Sequence, residues 1–575
     1  MGCFVALGDY LPAVGKTQER MQAEKIMKRI WARDHSVWKE SPKEISNRLG
    51  WLRCPENMMG AIEDISAFAD EVRGAGFTHA LLLGMGGSSL APWVFRRVFG
   101  VEAGYLDLAV LDSTDPGAVL EHARGLDPSR TLYIVSTKSG GTVETVSLMK
   151  YFFNRAVEAL GEGRAPERFI AITDPGSGLE SIAGELGFRR VFLNDPDIGG
   201  RYSALSYFGL VPAALMGMNL GLLLERAQRM AINTQAYNYC SPGGDNSAAC
   251  LGAAVGELAL AGRDKLTLLT SPALAPFGAW VEQLIAESTG KEGKGVLPVC
   301  GEEPLSPTEY ADDRLFVSLT LRGADEGDFG LEELAGAGHP VVSIELSDLY
   351  DLGGEMFRWE MVTAVAGAVM GINPFDQPDV ESAKAFARKM VAVYGERGVL
   401  PEPRPSVEED GVRLYADFDA DGVAGAVREF LSSGKWERDG SSERGYVALL
   451  AYLKPGRDVD RALGELRGAV RRRVRAAVTL GYGPRYLHST GQLHKGDAGR
   501  GLFIIFTADN ALDAPIPELP GSAHPPSTMM SFGVLERAQA LGDREALMAA
   551  GRRVLWIDLG SDVEGKLKML TEVLK

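Results

Sequence analysis

The stretch THALLLGMGGSSLAP (78–92) decides the fold. A continuous apolar run that ends in glycines and opens into a helix reads as the strand, turn and helix of a parallel sheet. Such strands are covered on both faces and show no polar alternation. The pattern recurs outward in DLAVLD (107–112), TLYIVS (131–136), RFIAIT (168–173) and RRVFLN (189–194), each followed by a turn or helix. This predicts a first doubly wound α/β domain over 41–220, preceded by a helical segment over 1–40. A helical linker (220–262) leads to KLTLLTS (265–271), RLFVSLTL (314–321) and HPVVSIEL (339–346), with helices near 273–288 and 353–371. These give a second α/β domain over 221–400. The Pro- and acid-rich EPRPSVEEDG (402–411) reads as a linker into a third α/β region over 401–575, with VRLYADF, GYVALLAYL, GLFIIFT and RVLWIDLG as strands. A weak internal similarity joins RLFVSLTLRG…FRWEMVTAVAGAVMG to GLFIIFTADN…SFGVLERAQALG, and RRRVRAA (471–477) reads as a solvated helix face.

Composition narrows the function. The 575 residues are 45% hydrophobic and 24% charged, an ordinary globular balance, and too many for one core. With 60 Lys plus Arg against 77 Asp plus Glu, the net charge is −17, which argues against nucleic acid or an anionic membrane as the main partner. The five scattered cysteines lack CxxC spacing, so neither a disulfide framework nor a zinc site is expected, and a reducing cytoplasm fits. The start MGCFVALGDY lacks the layout of a signal peptide, and Ala6 breaks the lipidation pattern that Met-Gly-Cys suggests. GLVPAALMGMNLGLLL (209–224) is interrupted by glycines and a proline and falls short of a membrane span.

Two loops carry small-molecule chemistry. LLLGMGGSSLAP (81–92) resembles a dinucleotide turn, but Ser89 stands where the third glycine of that fingerprint belongs. VSTKSGGTVETVSLMKYFF (135–153) is a buried strand, a hydroxyl- and glycine-rich loop and a helix. Backbone N–H groups at that helix start, with the hydroxyls of Thr137, Ser139 and Thr142, can wrap a phosphate dianion. The same residues would also satisfy a plain N-cap with Glu144 as its capping-box carboxylate. No Walker loop occurs.

GGRYSALSYFGL (199–210), AESTGKEGKG (286–295) and NPFDQPDVESAK (373–384) complete a set that resembles the phosphoglucose isomerases, a family of the sugar isomerase (SIS) fold. The resemblance covers about 30–390. It implies two SIS-type doubly wound parallel-sheet domains and, with the C-terminal α/β region, three units. It also implies an aldose–ketose isomerase that interconverts glucose 6-phosphate and fructose 6-phosphate through a cis-enediol, without metal or cofactor. Carried over residue by residue, it puts Gly87 and Ser88 beside the sugar, and Thr137, Lys138, Ser139 and Thr142 at the phosphate. Gln283 lies one helical turn before Glu287, the expected base, whose motif reads Gln-x-x-x-Glu-Ser-x-Gly-Lys. A base moving a proton between neighbouring carbons suits a carboxylate brought toward working pH by partial burial. Gly200 lets the backbone close in while Arg201 meets the enediolate charge. Gln377 is expected on the phosphate side and Lys384 near the ring oxygen.

The family's ring-opening histidine is expected between Glu287 and Gln377, where only His339 occurs, in a strand-like context that does not suit it. YLHSTGQLHKG (486–496) is similar to that motif in bacterial enzymes, so His488 is expected to come from the third region, in cis. The tail from 410, and WARDHSVWKESPKEISNRLGWL (31–52), resemble the isomerase half of bacterial transaldolase–isomerase fusions. The expected partner is a small-molecule sugar phosphate in glycolysis and gluconeogenesis, with a homodimer compatible with the family. The other readings are a non-catalytic sugar-phosphate sensor on the same fold, and an isomerase acting on another sugar phosphate, mannose 6-phosphate or an amino-sugar phosphate.

Overall fold

The computed structural model describes residues 3–235, 246–323, 329–436, 444–520 and 530–575. Its apolar runs become three sheets. The first sheet orders Asp107–Leu111, His79–Gly84, Thr131–Ser136, Phe169–Thr173 and Arg190–Leu193 side by side, all parallel. The second runs Cys3–Ala6, Val341–Leu346, Arg314–Leu321, Lys265–Thr270 and Leu297–Cys300, and only the first of these is antiparallel. The third orders Val407–Glu409, Val412–Tyr415, Arg553–Asp558, Gly501–Thr507, Tyr446–Ala451 and Ala477–Tyr482. Counting parallel strands from the start of each unit, all three sheets are laid out second, first, third, fourth. In this layout the crevice beyond the C-terminal ends of the first and third strands is where ligands bind.

Several elements depart from the sequence reading. The N-terminal 1–40 stretch is helical over Leu11–Ala23 and Ile26–Trp31, but its first residues form an edge strand of the second sheet. Leu297–Cys300 and Ala477–Tyr482 are strands where none was expected, and the expected linker over 402–411 contributes Val407–Glu409. The internal similarity marks equivalent strands, Arg314–Leu321 and Gly501–Thr507 each being the third parallel strand of its sheet, but not equivalent helices. The helix Leu352–Met370 follows its sheet's fourth parallel strand, whereas Phe532–Ala549 precedes the fourth of its own. Arg471 is buried rather than solvated, 3.4 Å from Glu302 and donating to Glu303 O at 2.7 Å.

The third unit is built into the other two. Ala286, Leu297 and Val299 of the second unit share one apolar cluster with Tyr446, Phe503 and Leu541 of the third. Ala514 and Phe532 enter the first unit's cluster around Tyr133, Phe152 and Phe169. Where the helices Val380–Arg397 and Phe532–Ala549 cross, Gly542 lets them touch, since a Cβ there would lie 2.6 Å from Ala387 N. Burying this much apolar surface makes the three units one folding body rather than tethered domains. Cys54 and Cys300 are free thiols, whereas Cys250 is disulfide-bonded, contrary to the unbridged set expected; Cys240 lies outside the described residues. Among the described residues, no helix is long and apolar enough to cross a membrane, and no group of three or more His, Cys, Asp or Glu could hold a metal ion.

Candidate active site

The first sheet's switch point falls between His79–Gly84 and Thr131–Ser136, and the loops after these strands are the two glycine-rich ones. After the first strand, Gly86–Ser88 forms a single helical turn. Gly86 has φ +54°, and a Cβ on it would lie 2.9 Å from both Gln283 Nε2 and His488 Cβ. Gly87 is tighter still, since a Cβ there would sit 2.0 Å from Gly200 O. The first loop therefore presses against the turn that launches Arg201, with Ser203 Oγ donating to Gly87 O at 3.3 Å and Gly200 O at 2.6 Å. Ser88 is buried, and its carbonyl accepts from Ser136 Oγ at 2.9 Å.

In the second loop the hydroxyls of Thr137 and Thr142 lie 3.0 Å apart. Thr142 is the N-cap of the helix Val143–Leu160, yet its side chain makes no capping bond, so the plain capping-box arrangement is not the one adopted. Ser139 is exposed at the loop tip. Lys138 turns away from the loop to Asp174, and donates to Pro196 O at 2.9 Å.

Arg201 is 4% exposed and held on nearly every N–H. Its Nε donates to Ser288 Oγ at 2.7 Å and Nη2 to the carbonyls of Pro374 and Asp376 at 2.7 and 2.9 Å. Nη1 donates to Gln377 Oε1 at 3.0 Å and lies 3.5 Å from Glu287 Oε1. Gln377 is thus an orienter of the guanidinium here. A charge fixed in this way needs no reorganisation when negative charge develops beside it.

Glu287 and Gln283 lie on one face of the helix Phe277–Thr289, and Gln283 Nε2 donates to Glu287 Oε2 at 3.2 Å and to His488 O at 2.8 Å. One amide therefore ties the carboxylate to the histidine's backbone. His488 closes a short helical turn, Arg485–His488, and its Nε2 is 3.0 Å from Glu144 Oε1. Burial alone would raise the Glu144 carboxyl. The charge and hydrogen bond of His488, with the charge of Lys384, outweigh it and hold the carboxyl below its usual range. Lys384 itself is about half exposed and donates to Glu381 at 2.9 Å.

The segment carrying His488 is anchored from below. Tyr486 OH donates to Asp543 Oδ2 at 2.7 Å, and Lys495 and Asp543 form a buried ion pair at 2.6 Å. Gln492 accepts from Asp379 N at 2.9 Å and donates to Gly290 O at 2.9 Å, joining the segment to both ends of the Arg201 cradle. His494 is buried among Tyr446, Tyr486 and Phe503, and burial holds its pKa well below the usual range. His339 lies elsewhere, between Tyr310 and Phe316, with Nε2 2.9 Å from Pro307 O.

The structure therefore gathers Gly87, Gly200, Arg201, Gln283, Glu287, Gln377 and His488 in one place. The loop 137–142 lies at the same C-terminal end of the first sheet, while Lys138 and Lys384 are paired to neighbouring carboxylates. Sequence reasoning missed Ser288 and Lys291 although both sit inside a quoted motif, and read Glu144 only as a cap. Lys291 is buried, donates to Asp376 O and Oδ1 at 2.5 and 2.7 Å, and has its pKa lowered to about 8 by burial and by Arg201.

The family model for phosphoglucose isomerase matches residues 57–296. A glucose-6-phosphate isomerase of Rubrobacter xylanophilus is 31% identical over 387 residues, 58% of this chain and 87% of that protein. The chain belongs to the phosphoglucose isomerase family. A second relative, the glucose-6-phosphate isomerase of a Cyanothece strain, is 29% identical over 62% of this chain and 77% of its own length. Two solved structures share the fold. One is a hypothetical protein from Thermus thermophilus, with a TM-score of 0.58 and 24% identity over 68% of this chain and 100% of that one. The other is a glucose-6-phosphate isomerase from Chlamydia trachomatis, with a TM-score of 0.56 and 19% identity over 67% and 86%. His488 lies beyond the segment that the phosphoglucose isomerase model matches.

Proposed function

We propose that this chain interconverts glucose 6-phosphate and fructose 6-phosphate with Glu287 as the proton-transfer base, Arg201 as the enediolate partner and His488 as the ring opener. The observation that carries the reading is the convergence of Arg201, Glu287, Gln283 and His488, from three different units, around one crevice. The sugar phosphate is held by the loop Thr137–Thr142 and the N-terminal N–H groups of the helix that follows, an anion site of the usual physical kind. Ser88 faces the sugar. The charge of Lys384 reaches the site through Glu144, whereas Lys138 is engaged by Asp174.

With Nε2 of His488 engaged by Glu144, Nδ1 is left for the ring oxygen. The Nδ1 proton of His488 passes to the ring oxygen as the C1–O bond breaks, and the C1 hydroxyl gives its own proton to solvent, leaving the open aldehyde. Glu287 then removes the C2 proton. The C–H electron pair forms the C1–C2 double bond, and the carbonyl oxygen carries the charge that Arg201 meets. Return of the proton from Glu287 to C1, with the O2 proton passing to O1, leaves the ketone at C2 and a hydroxyl at C1.

Because His488 belongs to the same chain as Glu287, the site needs no residue from a second copy, and a homodimer is not a condition for activity in this reading. A purely binding sensor would need neither Arg201 fixed by four acceptors nor a carboxylate beside it. The test is a coupled assay in both directions with the wild type and Glu287→Gln, together with exchange of the C2 hydrogen into deuterated water. Turnover and exchange in the wild type, both lost in Glu287→Gln, support the reading. Binding without turnover in the wild type would replace it with the sensor. Running mannose 6-phosphate alongside reports whether the enediol is also reprotonated at C2 on the other face.

A further inference from the structure

The helix Phe532–Ala549 buries three polar side chains along one face, Glu536, Gln539 and Asp543, at spacings of three and four. Asp543 serves the anchor under His488. Gln539 is used by nothing in the reaction described above, yet it is 3% exposed and bonded at both ends of its amide. Its Nε2 donates to Glu144 Oε1 at 2.8 Å, and its Oε1 accepts from Thr114 Oγ1 at 2.7 Å. The Glu144 carboxylate fixes which way round the amide stands, since a flipped amide would point two acceptors at each other. Glu144 Oε1 is the same oxygen that faces His488 Nε2.

We propose that Gln539 is a positioning residue for the Glu144–His488 pair, holding the carboxylate ionised and aimed at the histidine. The inference rests on the ring-opening role given to His488. The third unit then supplies both the histidine and the donor that sets its partner's charge. Docking of the third unit on the first, through Thr114, and competence of the pair become one event. A second donor on a buried carboxylate favours its charged form, and a charged carboxylate makes a stronger hydrogen bond to the imidazole than a neutral one would. Facing Glu144 are His488 and Lys384, with the Tyr452 hydroxyl on the third-unit side close to Asp543 and Glu536. Glu536, next along the same helix face, is raised well above the usual carboxyl range by burial and by Asp115, so it does not compete as an anion.

Gln539→Leu and Gln539→Glu in the full chain separate positioning from packing. Gln539→Leu removes a hydrogen bond to a charged group, so kcat/KM for the cyclic hexose phosphate should fall by about 10- to 100-fold. The loss should be greatest at acid pH, where Glu144 now takes a proton more readily. Gln539→Glu should behave in the opposite sense. Its protonated carboxyl can still donate to Glu144 at acid pH and keep activity near wild type, and activity should drop as the pH rises and two anions meet. Thr114→Val, which only frees the amide, should move the profile as Gln539→Leu does but less. It serves as the second variant if Gln539→Leu melts early. His488→Ala is measured in parallel. If His488→Ala is impaired while all three variants keep a wild-type pH profile, the inference is overturned and the ring-opening reading stands. If His488→Ala turns over like wild type, the underlying reading fails first.

Discussion

Gly87 offers the sharpest physical test of how the site is held. In Gly87→Ala the added methyl would start 2.0 Å from Gly200 O, 2.3 Å from Gly200 C and 2.9 Å from Arg201 N. All three atoms are backbone, so no rotamer can relieve the clash. Ordinary packing begins near 3.4 Å, and the loop and the Arg201 turn must separate by about 1 Å even after partial relaxation. Arg201 is bonded on the far side to Ser288, Pro374, Asp376 and Gln377, so the displacement strains that cradle or moves the guanidinium off Glu287. A misplacement of about 1 Å near reacting groups costs on the order of 100-fold in rate, equivalent to about 2.7 kcal/mol of barrier. The expectation is a fall of about that size in kcat, read in the coupled assay with fructose 6-phosphate. Gly184→Ala is the control. Its Cβ meets nothing within 4 Å, it lies inside the helix Gly178–Leu186, and it should leave the rate unchanged while stabilising by about 0.5–1 kcal/mol. A Gly87→Ala enzyme within threefold of wild type would show that the loop contact does not set the position of Arg201.

Lys291→Met removes the clip on Asp376, whose carbonyl also accepts from Arg201; kcat should fall at least tenfold with KM little changed, and Lys291→Arg should recover part of it. As the Lys291 pKa is about 8, wild-type activity should decline as its charge is lost above that pH, and a pH–rate profile of Lys291→Met should lack that limb. Burial pushes Glu282 up to about 7, so its contribution to stability is present below the unfolded value of about 4.5 and is lost as the pH rises through 7. Chemical denaturation should therefore find Glu282→Gln gaining on wild type between about pH 5 and 8, by up to about 3 kcal/mol; equal pH dependence would rule the burial effect out. Mixing Glu287→Gln with His488→Ala should restore no activity, because each chain's site draws its histidine from the same chain; recovery toward a quarter of wild type would mean exchange between subunits.

The fold was legible wherever strands were long, apolar and central, as in His79–Gly84 or Arg314–Leu321. Leu297–Cys300 was not, because Pro298 interrupts a four-residue run that only an edge position tolerates. Ala477–Tyr482 was obscured by the arginines that precede it, one of which turns inward to Glu302. Within the site, residues inside compact motifs were readable: Arg201 after two glycines, Glu287 one turn after Gln283, and His488 in YLHSTGQLHKG. Glu144 looked like a cap because a carboxylate in a first helical turn normally is one; only the fold brings His488 to it across 344 residues. Gln539 carried no signal at all. A glutamine on an amphipathic helix is unremarkable until partners 395 and 425 residues away close on it.

In the proposed reaction His488 opens the ring and Glu287 moves the proton, and a substrate that cannot close a ring separates the two. An aldotetrose 4-phosphate lacks the hydroxyl needed for a five- or six-membered ring, so its isomerisation skips the first step. His488→Ala should lose turnover of glucose 6-phosphate but keep near-wild-type exchange of the tetrose C2 hydrogen with solvent deuterium, whereas Glu287→Gln should lose both. Equal losses on the two substrates in His488→Ala, or no loss on either, would contradict it.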